Sequence, residues 1–304
     1  MEDFVDRANI LLHALLAREA LPNNGICVCG TKNQAIWRCK DCTSPALMCH
    51  SCMRHSHAAS PLHHIECWTG TFFRTAYLWE VGSYILVPHY KHIQLCDSLL
   101  TQQRILESVQ VAKDIDEQAR LSKPSGYLGP AMPEMPELPE FILTDDGPLD
   151  NTADESEEDN RSDLDYMKEY LANNAPRQDV LTNHYVRIMH TNGIHRIALV
   201  TCSCHGADTI HADLMYCRLV PTTFTSYNTL FTVAVLDDFC ISNLECKASA
   251  YQYFQKLRWQ TCPMAPATCP NVYQELLRMS RLWRWLKKKK WACQESGCAG
   301  YRSK

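Results

Sequence analysis

The sequence of 304 residues lacks any run of about eighteen apolar residues, the length that a membrane-spanning helix needs. Residues 1–20 lack a basic segment, an apolar core and a small-residue cleavage site, so no secretory signal is predicted. Strong charge of one sign is also missing. The net charge is −4 and the pI is about 6.3, so bulk charge does not indicate a nucleic-acid-binding protein. The length suits one or two ordinary domains.

Cysteine, by contrast, is abundant, with 17 residues. Without an export signal we expect a reducing compartment, in which thiols hold metal ions rather than form disulfides. Near the N-terminus, six cysteines and two histidines follow the pattern C-x-C-x9-C-x2-C-x6-C-x2-C-x4-H-x5-H. They are Cys27, Cys29, Cys39, Cys42, Cys49, Cys52, His57 and His63.

This pattern predicts two zinc ions. Zinc prefers four thiolate or imidazole ligands in a tetrahedron, and a closely spaced Cys pair supplies two of them from one turn. In a cross-braced arrangement, pairs one and three hold one ion (Cys27, Cys29, Cys49 and Cys52), and pairs two and four hold the other (Cys39, Cys42, His57 and His63). Four protein ligands close a zinc site, so both sites are predicted to be structural rather than catalytic.

Spacing alone leaves other assignments open. Buried free thiols are the alternative to the two zinc sites, and three further histidines are rivals as ligands: His50, His55 and His64. A third metal site is a further interpretation, with the candidate set His89, Cys96, Cys202 and Cys204. Its competitors are His205, His211 and Cys217, and small buried thiols at a strand end explain the C-x-C equally well.

Composition divides the chain into five segments: an N-terminal amphipathic helix (1–24), a zinc-binding cysteine-cluster module (25–100), a Pro-rich acidic linker (101–182), a hairpin with helices (183–292) and a tail (293–304). The linker is predicted to be mostly disordered, because its composition cannot bury enough apolar surface to offset the entropy of ordering. The predicted fold class is α+β, with a small B-box-like cross-brace, a β-hairpin and a helical region on either side of the linker.

Local patterns predict the secondary structure of the ordered segments. The aromatic segment 66–90 is expected to form a helix packed on the cysteine module. Two β-rich runs flank Asn192 and Gly193, which favour a two-residue type I′ turn and therefore a β-hairpin. Further helices are expected at 223–239, 243–259 and 271–290. The last carries an apolar stripe made of Val272, Leu276, Met279, Trp283 and Leu286.

Several blocks of the sequence resemble a known family. They include W-R-C-K-D-C at 37–42, L-M-C-H-S-C-M at 47–53, P-L-H-H-I-E-C-W at 61–68 and T-N-G-I-H at 191–195, which precedes the C-S-C at 202–204. In order and content these blocks are similar to the cysteine cluster of the second CxC type that is found N-terminal to Kyakuja-Dileera-Zisupton (KDZ) transposases. The resemblance covers most of residues 10–290 outside the linker.

The resemblance carries three implications. It selects His57 and His63 as the histidine ligands of the module. It also places a third metal site at His89, Cys96, Cys202 and Cys204, with Pro88 where the family usually has a glycine. Finally, it implies a nuclear protein in which a ribonuclease-H-like catalytic core follows the cysteine cluster. That core is missing from this sequence, so we expect an accessory region that is not an enzyme.

The predicted function is therefore zinc-dependent docking on DNA or on a protein partner, with no membrane and no small-molecule substrate evident. The candidate nucleic-acid contacts are Arg284, Lys287, Lys288, Lys289 and Lys290, for which a solubilising helix end is the alternative. Acidic residues of the ordered part are interpreted as solvated surface: Asp208, Asp213, Asp237, Asp238, Glu245 and Glu275. A stand-alone B-box-like protein-interaction module is the alternative function. A RING-type ubiquitin ligase is disfavoured because the histidines come last in the ligand order.

Overall fold

The structure is a computed structural model that describes residues 2–20, 25–30, 34–44, 46–90, 95–121, 176–202, 204, 209–224 and 227–295. The Pro-rich and acidic stretches of the predicted linker, and its predicted disorder, lie outside the described residues. Helices and sheets are mixed, which confirms the α+β class. No helix in the described part of the chain is both long and apolar enough to cross a membrane. The helices are α1 (Glu2–Ala17), α2 (His50–Ser56), α3 (Asp97–Leu121), α4 (Ile210–Tyr216), α5 (Val233–Glu245), α6 (Ala250–Thr261) and α7 (Tyr273–Glu295).

A three-stranded antiparallel sheet organises the N-terminal part. Its strands are β1 (Trp37–Cys39), β2 (Ile65–Trp68) and β3 (Phe73–Ala76), in the order β1-β2-β3. Ile65 and Cys67 point to a core that they share with Met53 of α2. The predicted helix at 66–90 is therefore wrong. Buried and half-buried residues alternate along β2, which is the period of a strand and not of a helix.

The second sheet has five strands in the order β4-β6-β5-β8-β7. The strands are β4 (Tyr84–Leu86), β5 (Tyr185–His190), β6 (Gly193–Val200), β7 (Leu219–Pro221) and β8 (Thr229–Thr232). Strand β4 lies parallel to β6, with Leu86 opposite Val200. Segments from the two sides of residues 122–175 thus belong to one sheet. One core, built around Phe231, Leu236 and Tyr253, joins this sheet to α5, α6 and α7.

The predicted β-hairpin is confirmed, but its turn type is wrong. His190 lies opposite Gly193, so the two loop residues are Thr191 and Asn192. Neither has a positive φ, whereas a type I′ turn requires one at both positions. Gly193 begins β6 with a φ of 140°. A Cβ atom there would lie 2.8 Å from Oγ1 of Thr261, so close packing against α6 explains the glycine.

The later helices are only partly as predicted. The helices expected at 243–259 and 271–290 are confirmed as α6 and α7 with shifted bounds. Residues 229–232 were predicted as helix but form β8, whose four residues are all buried between β5 and β7. Thr232 ends this strand, and its side chain accepts a hydrogen bond from the Val235 amide. This cap starts α5 at residue 233, ten residues after the predicted start of the helix at residue 223.

Candidate metal centres

The described residues contain three groups of four Cys or His side chains whose ligand atoms all lie within 4.8 Å of one another. Two of these groups have the same members as the sites that the cross-braced pattern predicts: Cys27, Cys29, Cys49 and Cys52 (the first cluster), and Cys39, Cys42, His57 and His63 (the second cluster). The third cluster is His89, Cys96, Cys202 and Cys204. Sulfur and imidazole nitrogen are the donors that zinc prefers, so each cluster could hold a metal ion.

The first cluster forms where the loop after residue 25 meets the start of α2. Cys49 is the N-terminal capping residue of α2, and Cys52 lies in the first turn of that helix. The backbone amide of Cys49 donates a hydrogen bond to Sγ of Cys27 at 3.1 Å, so the main chain of one member of the cluster supports the sulfur of another. Burial raises the pKa of Cys27. Metal binding at this cluster would therefore displace protons from the thiols.

The second cluster has the spacing of a tetrahedral zinc site. Sγ of Cys42 lies 3.5 Å from Nε2 of His57 and 3.5 Å from Nδ1 of His63, and Sγ of Cys39 lies 3.6 Å from Nδ1 of His63. Zinc bonds of about 2.3 Å to sulfur and about 2.0 Å to nitrogen would put these atoms about 3.5 Å apart. The residues present therefore fit the ion. Burial and the neighbouring thiol of Cys42 raise the pKa of Cys39 to about 12.

The ring of His57 is held in one tautomer. Its Nδ1 donates to the carbonyl oxygen of Met53 at 3.0 Å, so Nε2 is left free to face Cys42. The ring of His57 is buried. Such a hydrogen bond from the second nitrogen is typical of metal-bound histidines. The rival histidines have other partners: His50 contacts Asp114, and His64 contacts Asp41.

The third cluster depends on the parallel pairing of β4 and β6. His89 follows β4 and Cys202 follows β6, so parallel pairing brings both to the same edge of the sheet. Cys96 lies just before α3, with its sulfur 3.5 Å from that of Cys202. Nε2 of His89 lies 3.0 Å from Sγ of Cys204. Burial raises the pKa of Cys202, but hydrogen bonds from Cys204 and Cys96 outweigh it and lower the value to about 7.

Asp213 supports this cluster and corrects the sequence interpretation. It was predicted to be solvated surface, but it is only 2% exposed. Its Oδ2 accepts a hydrogen bond from Nδ1 of His89 at 3.0 Å, and its Oδ1 accepts one from the Tyr90 amide at 2.8 Å. Burial alone would lower the pKa of His89, but the hydrogen bond with Asp213 outweighs burial, and the pKa of His89 is raised. Nothing in the local sequence marks Asp213, because its partners lie more than a hundred residues away.

Residues 171–264 match the family model of the CxC2-like cysteine cluster associated with KDZ transposases. This match confirms the resemblance for the segment that carries Cys202 and Cys204. The N-terminal pattern at 27–63 lies outside the matched residues, so its interpretation depends on ligand spacing and on the geometry above. No curated protein and no solved structure matches the chain.

The turn of the β5–β6 hairpin, which belongs to the CxC2-like segment, contacts the loops that carry the second cluster. The side-chain amide of Asn192 donates to Oδ2 of Asp41 and to the carbonyl of Leu62, both at 2.9 Å. The rings of His64 and His195 lie 4.7 Å apart in the same interface. Burial and the nearby His64 lower the pKa of His195 well below its ordinary value. The ring of His195 is therefore neutral at pH 7.

The candidate nucleic-acid contacts at the end of α7 divide into two groups. Arg284 donates to Asn243 at 2.8 Å and Lys287 pairs with Asp237 at 2.7 Å, so both lie against α5. The other three are exposed: Lys288, Lys289 and Lys290. Two tryptophans that the sequence interpretation did not use, Trp285 and Trp291, are more than half exposed on the same helix. Three exposed lysines thus stand between two exposed tryptophans in the sequence of this helix.

Proposed function

We propose that the chain is a zinc-binding accessory region of a KDZ-type transposase, which docks on DNA in the nucleus and does not itself cut or join strands. The observation that carries the proposal is the third cluster. It uses the C-x-C of the CxC2-like segment and completes a four-ligand set with His89 and Cys96 of the N-terminal part. Such a set would join the CxC2-like segment to the residues that precede it.

Three closed zinc sites would have a structural role. The strands β1 to β3 contain three or four residues each, and a sheet of this size does not stabilise itself in water. Zinc held by the first two clusters would join α2, the end of β1 and the loop before β2, in the manner of a B-box-like cross-brace. The binding energy of the metal would then be part of the folding energy.

DNA docking is assigned to the end of α7. Three exposed lysines in succession would neutralise phosphates and release counterions, which gives an affinity that falls steeply with salt. The exposed rings of Trp285 and Trp291 offer flat surfaces for bases or sugars. A protein-docking role, the alternative function, would use the same exposed tryptophans without the salt dependence.

The zinc content tests the structural part of the proposal. Native mass spectrometry of the full chain is expected to find three zinc ions, with the metal identified by elemental analysis. Cys39→Ala is expected to lower the count to two. Cys67→Ala is the matched control, because Cys67 is buried in β2 of the same module but belongs to none of the three clusters. A metal-free protein, or equal loss in both variants, would refute the proposal.

A gel shift on random duplex DNA tests the docking part. Binding at low salt that weakens steeply as salt rises is expected for the wild-type chain with its zinc bound. Removal of the zinc with a chelator should abolish DNA binding only if the zinc clusters hold α7 in place. Absence of binding at low salt would favour the protein-interaction function instead, and it would leave the zinc count as a separate result.

A further inference from the structure

A cleft of about 510 Å³ lies between the segment that follows β3 and the β5–β6 hairpin. Residues 74–80 form one wall, and side chains from β5, β6 and the end of α6 form the other. The volume is within the range of small-molecule binding sites. No member of the three Cys/His clusters lines this cleft. It is therefore a separate feature of the molecule.

Two arginines oppose each other in this cleft. Arg187 of β5 lies directly opposite Arg196 of β6 in the antiparallel pair, and both line the cleft. Residues directly opposite on antiparallel strands share one face of the sheet, and like charges in that position destabilise it. Within the described ranges, neither arginine forms an ion pair with a carboxylate. The pair is thus an unfavourable arrangement for the protein by itself.

Arg196 is the less favourably placed of the two arginines. Its Nε atom is buried and has no hydrogen-bond partner in the part of the chain that the structure describes. Burial and the charges of Arg187 and Arg177 lower the pKa of Arg196. A buried donor without an acceptor and a cation without a counter-ion both cost folding free energy. The guanidinium does donate from Nη2 to the Pro176 carbonyl at 3.5 Å, but among the described residues it lacks a counter-charge, which an anion in the cleft would supply.

The remaining walls indicate what kind of anion fits. Arg74 pairs with Glu80 at 2.6 Å, so this third arginine brings its own counter-ion. Trp79 and Tyr185 line the cleft with their rings 6.1 Å apart at an angle of 82°. A guanidinium fork matches phosphate oxygens, and aromatic rings stack on bases. Two uncompensated arginines beside two aromatic rings therefore suit a phosphate attached to a flat ring.

We propose that this cleft binds the phosphate of a nucleotide, with Arg187 and Arg196 at the phosphate and Trp79 and Tyr185 beside the base. The proposal depends on neither the zinc clusters nor DNA docking by α7. A free mononucleotide and the 5′-terminal nucleotide of a single strand carry the same chemistry. The experiment below separates these two sources.

Isothermal titration calorimetry of the zinc-loaded full chain tests the proposal with dAMP, inorganic phosphate, deoxyadenosine and a 5′-phosphorylated tetradeoxynucleotide. We expect one site for dAMP, with at least tenfold weaker binding of deoxyadenosine and of inorganic phosphate. Arg187→Gln and Arg196→Gln should each weaken dAMP binding at least tenfold. Arg104→Gln, the same charge change at an exposed position of α3, should leave it unchanged. Tighter binding of the tetranucleotide than of dAMP identifies a strand end as the ligand, and equal or weaker binding identifies the free nucleotide.

Thermal unfolding without ligand distinguishes a binding role from a structural one. Arg196→Gln is expected to unfold at the same temperature as the wild type or higher, because it removes a half-buried charge from a like-charged pair. If it instead unfolds at a lower temperature, Arg187→Lys, which keeps the charge and loses the fork, must still weaken dAMP binding. No saturable binding of dAMP, or deoxyadenosine binding as tightly as dAMP, would overturn the proposal. Inorganic phosphate binding as tightly as dAMP would overturn the role of the rings.

Discussion

The side-chain amide of Asn192 donates a hydrogen bond to Oδ2 of Asp41 at 2.9 Å, across 151 residues of sequence. The same side chain donates to the Leu62 carbonyl, and its oxygen contacts Nε2 of His195 at 2.7 Å. One residue of the hairpin turn thus connects the CxC2-like segment to the loops that carry the second cluster.

Asn192→Ala is expected to destabilise the protein by about 2 kcal/mol, because it removes three hydrogen bonds, one of which is to the buried ring of His195. Urea unfolding of the zinc-loaded chain measures this difference. Thr191→Ala, at the neighbouring loop position, is the control and should change the free energy of unfolding much less. Equal effects of the two substitutions would show that the turn does not join the two parts.

Asp213→Asn should weaken the third cluster alone. The substitution removes the charged acceptor that holds Nδ1 of His89, and loss of such a carboxylate costs about 10- to 100-fold in metal affinity. Competition with a chromophoric chelator should release one zinc ion early while two are retained. Asp237→Asn, which loses contacts with Trp283 and Lys287 far from the cluster, is the matched control. Early release of all three ions would contradict a local role.

The ion pair between Arg54 and Asp114 joins α2 to α3 and makes stability depend on pH. Burial would raise the pKa of Asp114, but the hydrogen bonds and charge of Arg54 outweigh it and lower the value. A lowered pKa means that the folded state favours the carboxylate. Its contribution is therefore present above about pH 4, the ordinary pKa of the group, and is lost as the pH falls through the lowered value.

Asp114→Asn should accordingly lower the free energy of unfolding at pH 7 by about 2 kcal/mol, with a smaller difference from the wild type below pH 4. Urea unfolding at both pH values checks this, and comparison of the two proteins cancels the effect of acid on the three Cys/His clusters. Asp116→Asn, at an exposed position of α3, is the control. A difference that is the same at both pH values would refute the assignment.

Replacing Lys288, Lys289 and Lys290 with glutamine should weaken DNA binding and reduce the slope of log affinity against log salt by about 3. Gel shifts at several salt concentrations measure the slope. The control is a triple variant with the same charge change on exposed positions of α3 and α6: Arg104→Gln, Lys113→Gln and Lys256→Gln. If both triple variants reduce the slope equally, the binding is a general charge effect and not a property of α7.

Local sequence was sufficient for features that depend on near neighbours. The β-hairpin and the two last helices followed from apolar periodicity and turn residues. The pairing of the cysteines in the first two clusters followed from their spacing, whereas His57 and His63 were selected by the family resemblance. Local sequence failed at β8 and at 66–90, where short apolar or aromatic runs fit a helix and a strand equally well. Pairing with β5 and β7 makes residues 229–232 a strand, and pairing with β1 makes the start of 66–90 one.

That the chain carries closely spaced side chains suited to binding a soft metal ion was determined by the sequence itself, because thiol and imidazole chemistry does not depend on the fold. The tertiary structure decided what surrounds them. Only parallel pairing of β4 with β6 brings His89 to Cys202, and only the packing of α4 under that edge buries Asp213 behind the histidine. The opposed arginines of the cleft also require a known strand register. These relationships join positions more than a hundred residues apart, or depend on a register that a one-residue slip would abolish, and local composition encodes neither.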